Sequence, residues 1–242
     1  KINVLPVIVT NQRERSAFNL TPYQGDDPKP VAAYTYDNEK LTPYSFKVDI
    51  DDHNMGVFYA LSHQSAIYQI DFRQEGKPVW LSVNSRGGEM KLDGKGVSGY
   101  QKLSDNTNVY LYLETEAEPV ETKEMKDRHN SCIALRFADG TSALRVRYGI
   151  SFISAEQARK NLRRELDHYD VAVLAQTGRK IWNAALERIK VEGGSEDDKT
   201  VFYTSYYRTF ERPICMSEDG RYFSAFDGKV HEDDGRPFYT DD

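Results

Sequence analysis

The sequence predicts a β-sandwich followed by helices, and three observations lead to this fold class. Short runs rich in Val, Ile, Tyr and Phe recur between Gly, Asn and Asp residues up to about residue 153. At Ser154 the spacing of apolar residues changes to that of a helix. Asp219-Gly220 and Asp227-Gly228 then give two strong turn signals near the C-terminal end.

The predicted strands are short and closely spaced, which is typical of a sandwich or barrel. Residues 44–50 alternate clearly, with Phe46, Val48 and Ile50 on one side. Pro6 lies inside the first run and indicates a strand at a sheet edge. The predicted strands are 2–9, 44–50, 57–62, 66–72, 79–83, 109–114, 132–137 and 143–149.

Three helices are predicted after the strands. Ser154 and Gln157 fit a capping box at the start of the first helix. A second apolar stripe at helical spacing covers residues 171–189 and includes Trp182 as a core residue. Ser195 with Asp198 begins a third helix by the same capping logic, and Pro213 is expected to end it. We therefore expect a β-sandwich domain over 1–153, a helical linker over 154–194 and the start of a helical domain over 195–242.

Composition excludes several classes of protein. The 32 Lys+Arg residues against 38 Asp+Glu give a net charge of −6, which argues against a general nucleic-acid or anionic-membrane binder. No run approaches the roughly 18 apolar residues of a membrane span. The two cysteines, Cys132 and Cys215, exclude a disulfide scaffold and a cysteine-rich zinc site.

The acidic C-terminal segment, residues 216–242, holds the candidate site residues. Its eight acids and three bases carry −5 of the net −6. Carboxylates beside aromatic rings suit sugar recognition, because acids accept hydrogen bonds from hydroxyls and rings stack on the apolar face of a sugar. The candidates are Asp227, His231, Asp241 and Asp242, which lie among Tyr222, Phe223, Phe226, Phe238 and Tyr239.

Two other interpretations of these acids remain open at this point. They can form a solvated acidic loop that carries ordinary core aromatics. Their oxygens would also suit calcium, although no EF-hand spacing is present. The residues alone therefore indicate a sandwich joined to helices, with an acidic and aromatic end, and they do not define a reaction.

Four stretches resemble glycoside hydrolase family 92, the calcium-dependent exo-α-mannosidases of bacteria. They occur in the same order and at the same spacing as in the family's passage from β-domain to helical domain. The likeness is strongest from about residue 143 onward and is looser over residues 36–60. The four stretches are VRYGISFIS (146–154) leading into AEQARKNLRREL, VEGGSEDDKTVFYTSYYRTF (191–210), DGRYFSAFDGKVH (219–231) and PFYTDD (237–242).

This resemblance implies an N-terminal β-supersandwich domain packed on an (α/α)6 barrel, of which residues 195–242 would be the beginning. It implies inverting hydrolysis of terminal α-linked mannose, α-1,2 above all, by a carboxylic acid and a carboxylate base that activates water. Calcium is the implied cofactor, with ligands outside this chain. The implied partners are mannose-containing glycans and the remainder of the same polypeptide.

No catalytic residue of the family can be assigned to this chain, and we expect the chain alone to be inactive. Asp241 and Asp242 match only the family's lead-in to a substrate-binding segment. The resemblance also implies a periplasmic, cell-surface or secreted location. The alternative function is a non-catalytic β-sandwich module that binds carbohydrate or another partner.

Overall fold

A computed structural model describes residues 5–10, 15–74 and 76–240, and it confirms a β-sandwich followed by helices. The first predicted strand is observed over Leu5–Thr10, whereas residues 1–4 lie outside the described part. The strands of the sandwich are β1 (Leu5–Thr10), β2 (Arg15–Gln24), β3 (Tyr36–Thr42), β4 (Ser45–Ile50), β5 (Met55–Leu61), β6 (Ser65–Phe72), β7 (Val79–Arg86), β8 (Gly88–Asp93), β9 (Gly96–Lys102), β10 (Asn108–Thr115), β11 (Glu121–Lys126), β12 (Asn130–Arg136) and β13 (Ala143–Ser151).

The helical part and two small sheets follow the sandwich. Between β4 and β5 the chain makes a single 3₁₀ turn over Asp51–His53, so residues 40–115 contain no long helix. The later elements are α1 (Ala155–Glu165), α2 (Val171–Leu186), α3 (Glu196–Arg208), β14 (Ile214–Cys215), β15 (Arg221–Ser224), β16 (Lys229–Glu232) and β17 (Tyr239–Thr240).

Two antiparallel sheets form the sandwich. The smaller has the order β1-β2-β7-β12-β11, and the larger has the order β3-β4-β5-β6-β13-β10-β9-β8. Their facing sides share one apolar core, to which β7 contributes Leu81 and Val83 and β10 contributes Leu111 and Leu113. Burial of this surface is the main stabilising contribution, at about 25 cal/mol per Å² of apolar area.

Helices α1 and α2 cover the outer face of the larger sheet. Tyr112 points away from the sandwich core and joins a second cluster with Ala158 and Leu162 of α1 and Leu174 of α2. Successive residues of a strand face opposite sides, so a strand between two apolar layers is apolar along its whole length. This is why residues 109–113 form an unbroken apolar and aromatic run in the sequence.

Gly149 of β13 allows α1 to lie directly on the sheet. A Cβ atom added at this position would lie 2.8 Å from the Leu162 amide nitrogen and 2.9 Å from the Leu162 Cβ. Real Cβ atoms essentially never approach so closely. Glycine is therefore needed here for the close approach of backbone to backbone rather than for its conformational freedom.

The later helices differ in detail from the predicted ones. Helix α3 ends at Arg208, before Pro213. Here the chain turns, because the amides of residues 209–211 donate to carbonyls three residues earlier instead of four. In α2 Val171, Leu174 and Ala175 are buried, but Ile181 is 65% exposed. Trp182 is half-buried against Tyr207 of α3, at 4.8 Å between ring centroids, and against Phe210 just after α3, at 5.8 Å. None of the helices in the described ranges is both long and apolar enough to cross a membrane.

Candidate functional site

The structure brings Asp227 and His231 together on the β15–β16 hairpin. His231 Nε2 lies 2.9 Å from Asp227 Oδ2, and both side chains are partly exposed. The other two candidates, Asp241 and Asp242, lie outside the described residues. The hairpin thus presents a carboxylate and an imidazole side by side.

The turn of the hairpin fixes the position of Asp227. Gly228 adopts a positive φ of 68°, and its amide donates to the Ser224 carbonyl at 2.9 Å. Asp227 Oδ1 accepts the Lys229 amide at 3.2 Å, which leaves Oδ2 for His231. Asp227-Gly228 therefore forms the predicted turn, and one carboxylate oxygen closes it while the other meets the imidazole.

Asp227 has a pKa below the ordinary value of an aspartate. Burial is the largest influence on it and acts to raise the pKa. Hydrogen bonds from His231, the Lys229 amide and Ser224 act in the opposite direction and together outweigh burial. Asp227 is thus an ionised acceptor at neutral pH, which suits binding of hydroxyl groups and does not suit proton donation.

A stack of rings supports this pair. The Tyr222 ring lies parallel to that of Phe238, with centroids 4.0 Å apart and an interplanar angle of 11°. His231 stacks near Tyr222 at 5.5 Å and 29°. Phe226, by contrast, is 99% exposed at the turn. Tyr222 and Phe238 therefore form a stack beside His231, whereas Phe226 and Tyr239 are exposed.

Backbone pairing fixes the chain that leads towards Asp241. Strand β17 pairs with β14, so Tyr239 lies opposite Cys215. The Phe238 amide donates to Ser217 Oγ at 2.8 Å, and the Met216 amide donates to the Phe238 carbonyl at 2.8 Å. The last described residues thus run beside the start of the same segment.

The calcium ion implied by the resemblance does not fit the residues that the structure describes. Calcium requires six to eight oxygen ligands. Across residues 5–10, 15–74 and 76–240, no three His, Cys, Asp or Glu side chains come together as a possible metal site. We therefore derive no step through a metal.

A cluster around Glu114 was missed by sequence reasoning. The Glu114 carboxylate accepts from Tyr112 Oη at 2.9 Å, from Arg163 Nη2 at 3.0 Å and from Arg147 Nη2 at 2.9 Å. Burial acts to raise its pKa and is the largest influence, but these hydrogen bonds outweigh it, so the pKa is lowered. Glu114 is held ionised and is a poor general acid.

Glu114 lies in a cleft of about 430 Å³ between the sandwich and α1. Two arginines cover the tyrosine faces there, with Arg159 over Tyr112 and Arg147 over Tyr169. Other charged side chains of the cleft pair with each other, as Lys95 does with Glu118. The ion pair between Arg163 of α1 and Glu114 of β10 makes this cluster a charged joint between the helix and the sandwich.

A second missed feature connects α1 to the acidic segment. Gln157 and Asn161 are 2% and 0% exposed and hydrogen-bond to each other at 3.0 Å. Asn161 Nδ2 also donates a hydrogen bond to Oε2 of the buried Glu218 at 2.8 Å. The available signal was two amides four residues apart among the apolar positions of α1, because such residues face the same side of a helix and require polar partners there.

Comparison with known families agrees with this description. Residues 157–242 match the family model described as the glycosyl hydrolase family 92 catalytic domain. The match begins in α1 and includes the whole hairpin with Asp227 and His231. The resemblance seen in the sequence is thereby confirmed over residues 157–242. No curated protein sequence matches the chain.

Solved structures of family 92 enzymes share the fold. An inverting family GH92 mannosidase from Bacteroides thetaiotaomicron VPI-5482 is 25% identical, with a TM-score of 0.79 over 93% of this chain and 34% of its own. A GH92 α-mannosidase from Bacteroides thetaiotaomicron has a TM-score of 0.79 at 16% identity, covering 93% of this chain and 36% of its own. The GH92 glycosyl hydrolase ccman5 has a TM-score of 0.75 at 18% identity, covering 93% of this chain and 36% of its own. The last two show the fold alone, and the chain spans about a third of these proteins' length.

Proposed function

We propose that the whole protein is an inverting exo-α-mannosidase that removes terminal α-linked mannose from glycans. Its preferred linkage in this proposal is α-1,2. The observation that supports this most strongly is the 25% identity with an inverting GH92 mannosidase over 93% of the chain. The family match over 157–242 adds support, because it includes the segment that carries the candidate residues. The periplasmic, cell-surface or secreted location stays a prediction.

In this proposal the chain supplies the sandwich and the first part of the catalytic domain. Inverting hydrolysis needs an acid and a base whose carboxyl groups stand roughly 6.5–9.5 Å apart, with a water molecule between base and sugar. Asp227 and Glu114 have lowered pKa values, and both are occupied by hydrogen-bond donors. We therefore assign the acid and the base to parts of the protein outside the described residues.

The role left to the hairpin is substrate positioning. An ionised Asp227 accepts hydrogen bonds from sugar hydroxyls, and His231 beside it can donate or accept one according to its tautomer. The exposed Phe226 ring offers an apolar surface next to them. Asp241 and Asp242 follow directly on the anchored strand β17 and are proposed as further acceptors near the sugar.

The first prediction compares the whole protein with residues 1–242 alone. The whole protein should release mannose from α-1,2-mannobiose and none from β-mannobiose, with calcium added. The 242-residue chain should release none above the blank, with or without calcium, because general acid–base catalysis needs both groups within reach of the reacting atoms. Quantifying free mannose by chromatography checks both.

Two outcomes would contradict this. Turnover by the purified, mass-verified chain would mean that an unrecognised acid–base pair lies within it. Absence of turnover by a folded whole protein on α-mannosides would reject the enzyme and favour a non-catalytic carbohydrate-binding module.

A further inference from the structure

Glu218 is a buried acid that does not belong to the apolar core of the sandwich. It lies just before the Asp219-Gly220 turn and is 1% exposed. Its Oε1 accepts the Phe152 amide at 2.8 Å, and its Oε2 accepts Asn161 Nδ2 at 2.8 Å. Both carboxyl oxygens are thus used as acceptors, one towards the end of the sandwich and one towards α1.

The surroundings of Glu218 differ from those of Glu114. Two arginines compensate the buried charge of Glu114. Glu218 instead faces neutral donors, and no ion pair joins it to a cation in the described part of the chain. Burying a carboxylate without a cation costs free energy. A buried apolar side chain would avoid this cost, so the burial of Glu218 points to a need for fixed geometry.

Further hydrogen bonds extend this contact into a connected network. Asn161 Nδ2 also donates to the Ile150 carbonyl at 2.9 Å. Gln157 Nε2 donates to Asp219 Oδ2 at 2.6 Å, and Arg221 Nη2 donates to Gln157 Oε1 at 2.9 Å. Any rotation of the segment against α1 would leave several buried polar groups unpaired at about 1–3 kcal/mol each.

The network sits at the base of the hairpin that carries the candidate site. Arg221 is the first residue of β15, and the following Tyr222 stacks on His231. No residue of β15 or β16 is fully buried, so the hairpin has little core of its own to fix its direction. Its orientation relative to the sandwich must come from contacts at its base.

We propose that Glu218 is a positioning residue, which holds the hairpin with Asp227 and His231 at a fixed angle to the sandwich and α1. The proposal rests on the proposed mannosidase function wherever hydrolysis is the measurement. It concerns geometry rather than chemistry, since Glu218 is 1% exposed and both of its carboxyl oxygens accept from protein donors.

The test uses Glu218→Gln, which keeps the shape of the side chain. One carboxyl oxygen becomes an NH₂ group that must face either the Phe152 amide or the Asn161 amide, donor against donor. The matched control is Glu156→Gln, the same change at an exposed position of α1. Hydrogen exchange on the 242-residue chain measures the effect without any need for activity.

In the Glu218→Gln chain, amides of residues 221–232 should exchange about tenfold faster than in the wild type, while those of β6 and β13 keep their rates. The Glu156→Gln chain should match the wild type throughout. Unchanged exchange in 221–232, or an equal increase in β6 and β13, would overturn the proposal, because the first shows no coupling and the second shows only a general loss of stability.

The second measurement is hydrolysis of α-1,2-mannobiose by the whole protein, per folded molecule. Glu218→Gln should lower kcat about fivefold with KM nearly unchanged, since the hairpin would be less often in the productive orientation. A residue that only stabilises the fold would leave kcat per folded molecule at the wild-type value, and this result would overturn the positioning role. If the wild-type whole protein releases no mannose, the proposed function fails, and the exchange experiment still decides whether Glu218 orients the hairpin.

Discussion

Replacing Glu114 by alanine should lower the free energy of unfolding of the 242-residue chain by about 3 kcal/mol. The Glu114 side chain is 11% exposed and that of its partner Arg147 is 14% exposed. Removal of the carboxylate leaves the Arg147 guanidinium buried without its anion. Breaking a buried ion pair usually costs about 3–5 kcal/mol. We expect the lower end of this range, because Arg147 keeps its hydrogen bond to the Leu166 carbonyl at 3.1 Å. Urea unfolding at neutral pH measures the difference.

Glu116→Ala is the matched control for this change. Glu116 pairs with Arg145 at 2.8 Å, but the two side chains are 48% and 42% exposed. Exposed pairs contribute only about 0–1 kcal/mol, so this variant should stay close to the wild type. If Glu114→Ala were no more destabilising than Glu116→Ala, the Glu114 cluster would not be the joint between sandwich and helices described above.

The same cluster predicts a dependence on pH. The pKa of Glu114 is lower in the folded chain than its ordinary value, so ionisation of this group favours the folded state. Its contribution is complete above the unfolded-state pKa of about 4.3 and is lost as the pH falls through the lower folded-state pKa. The stability difference between wild type and Glu114→Gln should therefore shrink between about pH 5 and pH 3. A stability difference that stays constant over this pH range would contradict the assignment of the effect to ionisation of Glu114.

Replacing Asp241 or Asp242 by asparagine in the whole protein should reduce kcat/KM for α-1,2-mannobiose. Asparagine keeps the shape and removes the charge. If the acidic segment supports the sugar site, at least one of the two changes should cost tenfold or more, or about 1.4 kcal/mol of transition-state stabilisation. The strand that precedes them in the sequence, β17, pairs with β14.

Asp234→Asn serves as the control for these two variants. Asp234 is an exposed acid of the same segment, in the turn after β16, and was not proposed as a site residue. It should leave kcat/KM unchanged. Unchanged kinetics in both the Asp241 and Asp242 variants, with unchanged thermal stability, would instead favour a solvated acidic loop.

Local signals in the sequence predicted local structure well. The cap of α1 is observed, since Ser154 Oγ accepts the Gln157 amide at 3.1 Å. The full capping box is observed at α3, where Ser195 and Asp198 satisfy each other's amides. Hydrophobic spacing identified the change to helices at Ser154 and most of the sandwich strands, but it missed β2, β3, β8, β9 and β11. These features depend on residues within a few positions of each other, and a single sequence contains that information.

Contacts between distant segments could not be predicted in the same way. Gln157 was expected to complete the cap of α1, but its side chain reaches Asn161, Asp219 and Arg221 instead. Asp219 and Arg221 lie more than sixty positions further along the chain, and the sequence around Gln157 does not predict these contacts. Glu114 was interpreted as the end of a strand for the same reason. Asp227 and His231 were found because both belong to one hairpin.

The anomeric form of the first sugar released by the whole protein gives the most direct test of an inverting exo-α-mannosidase. Proton NMR of an α-1,2-mannobiose digest should show the β-anomer of mannose first, with the α-anomer growing later by mutarotation. Inversion requires this order, because water attacks from the face opposite the leaving group. Initial appearance of the α-anomer, or no mannose from a folded whole protein, would contradict the account.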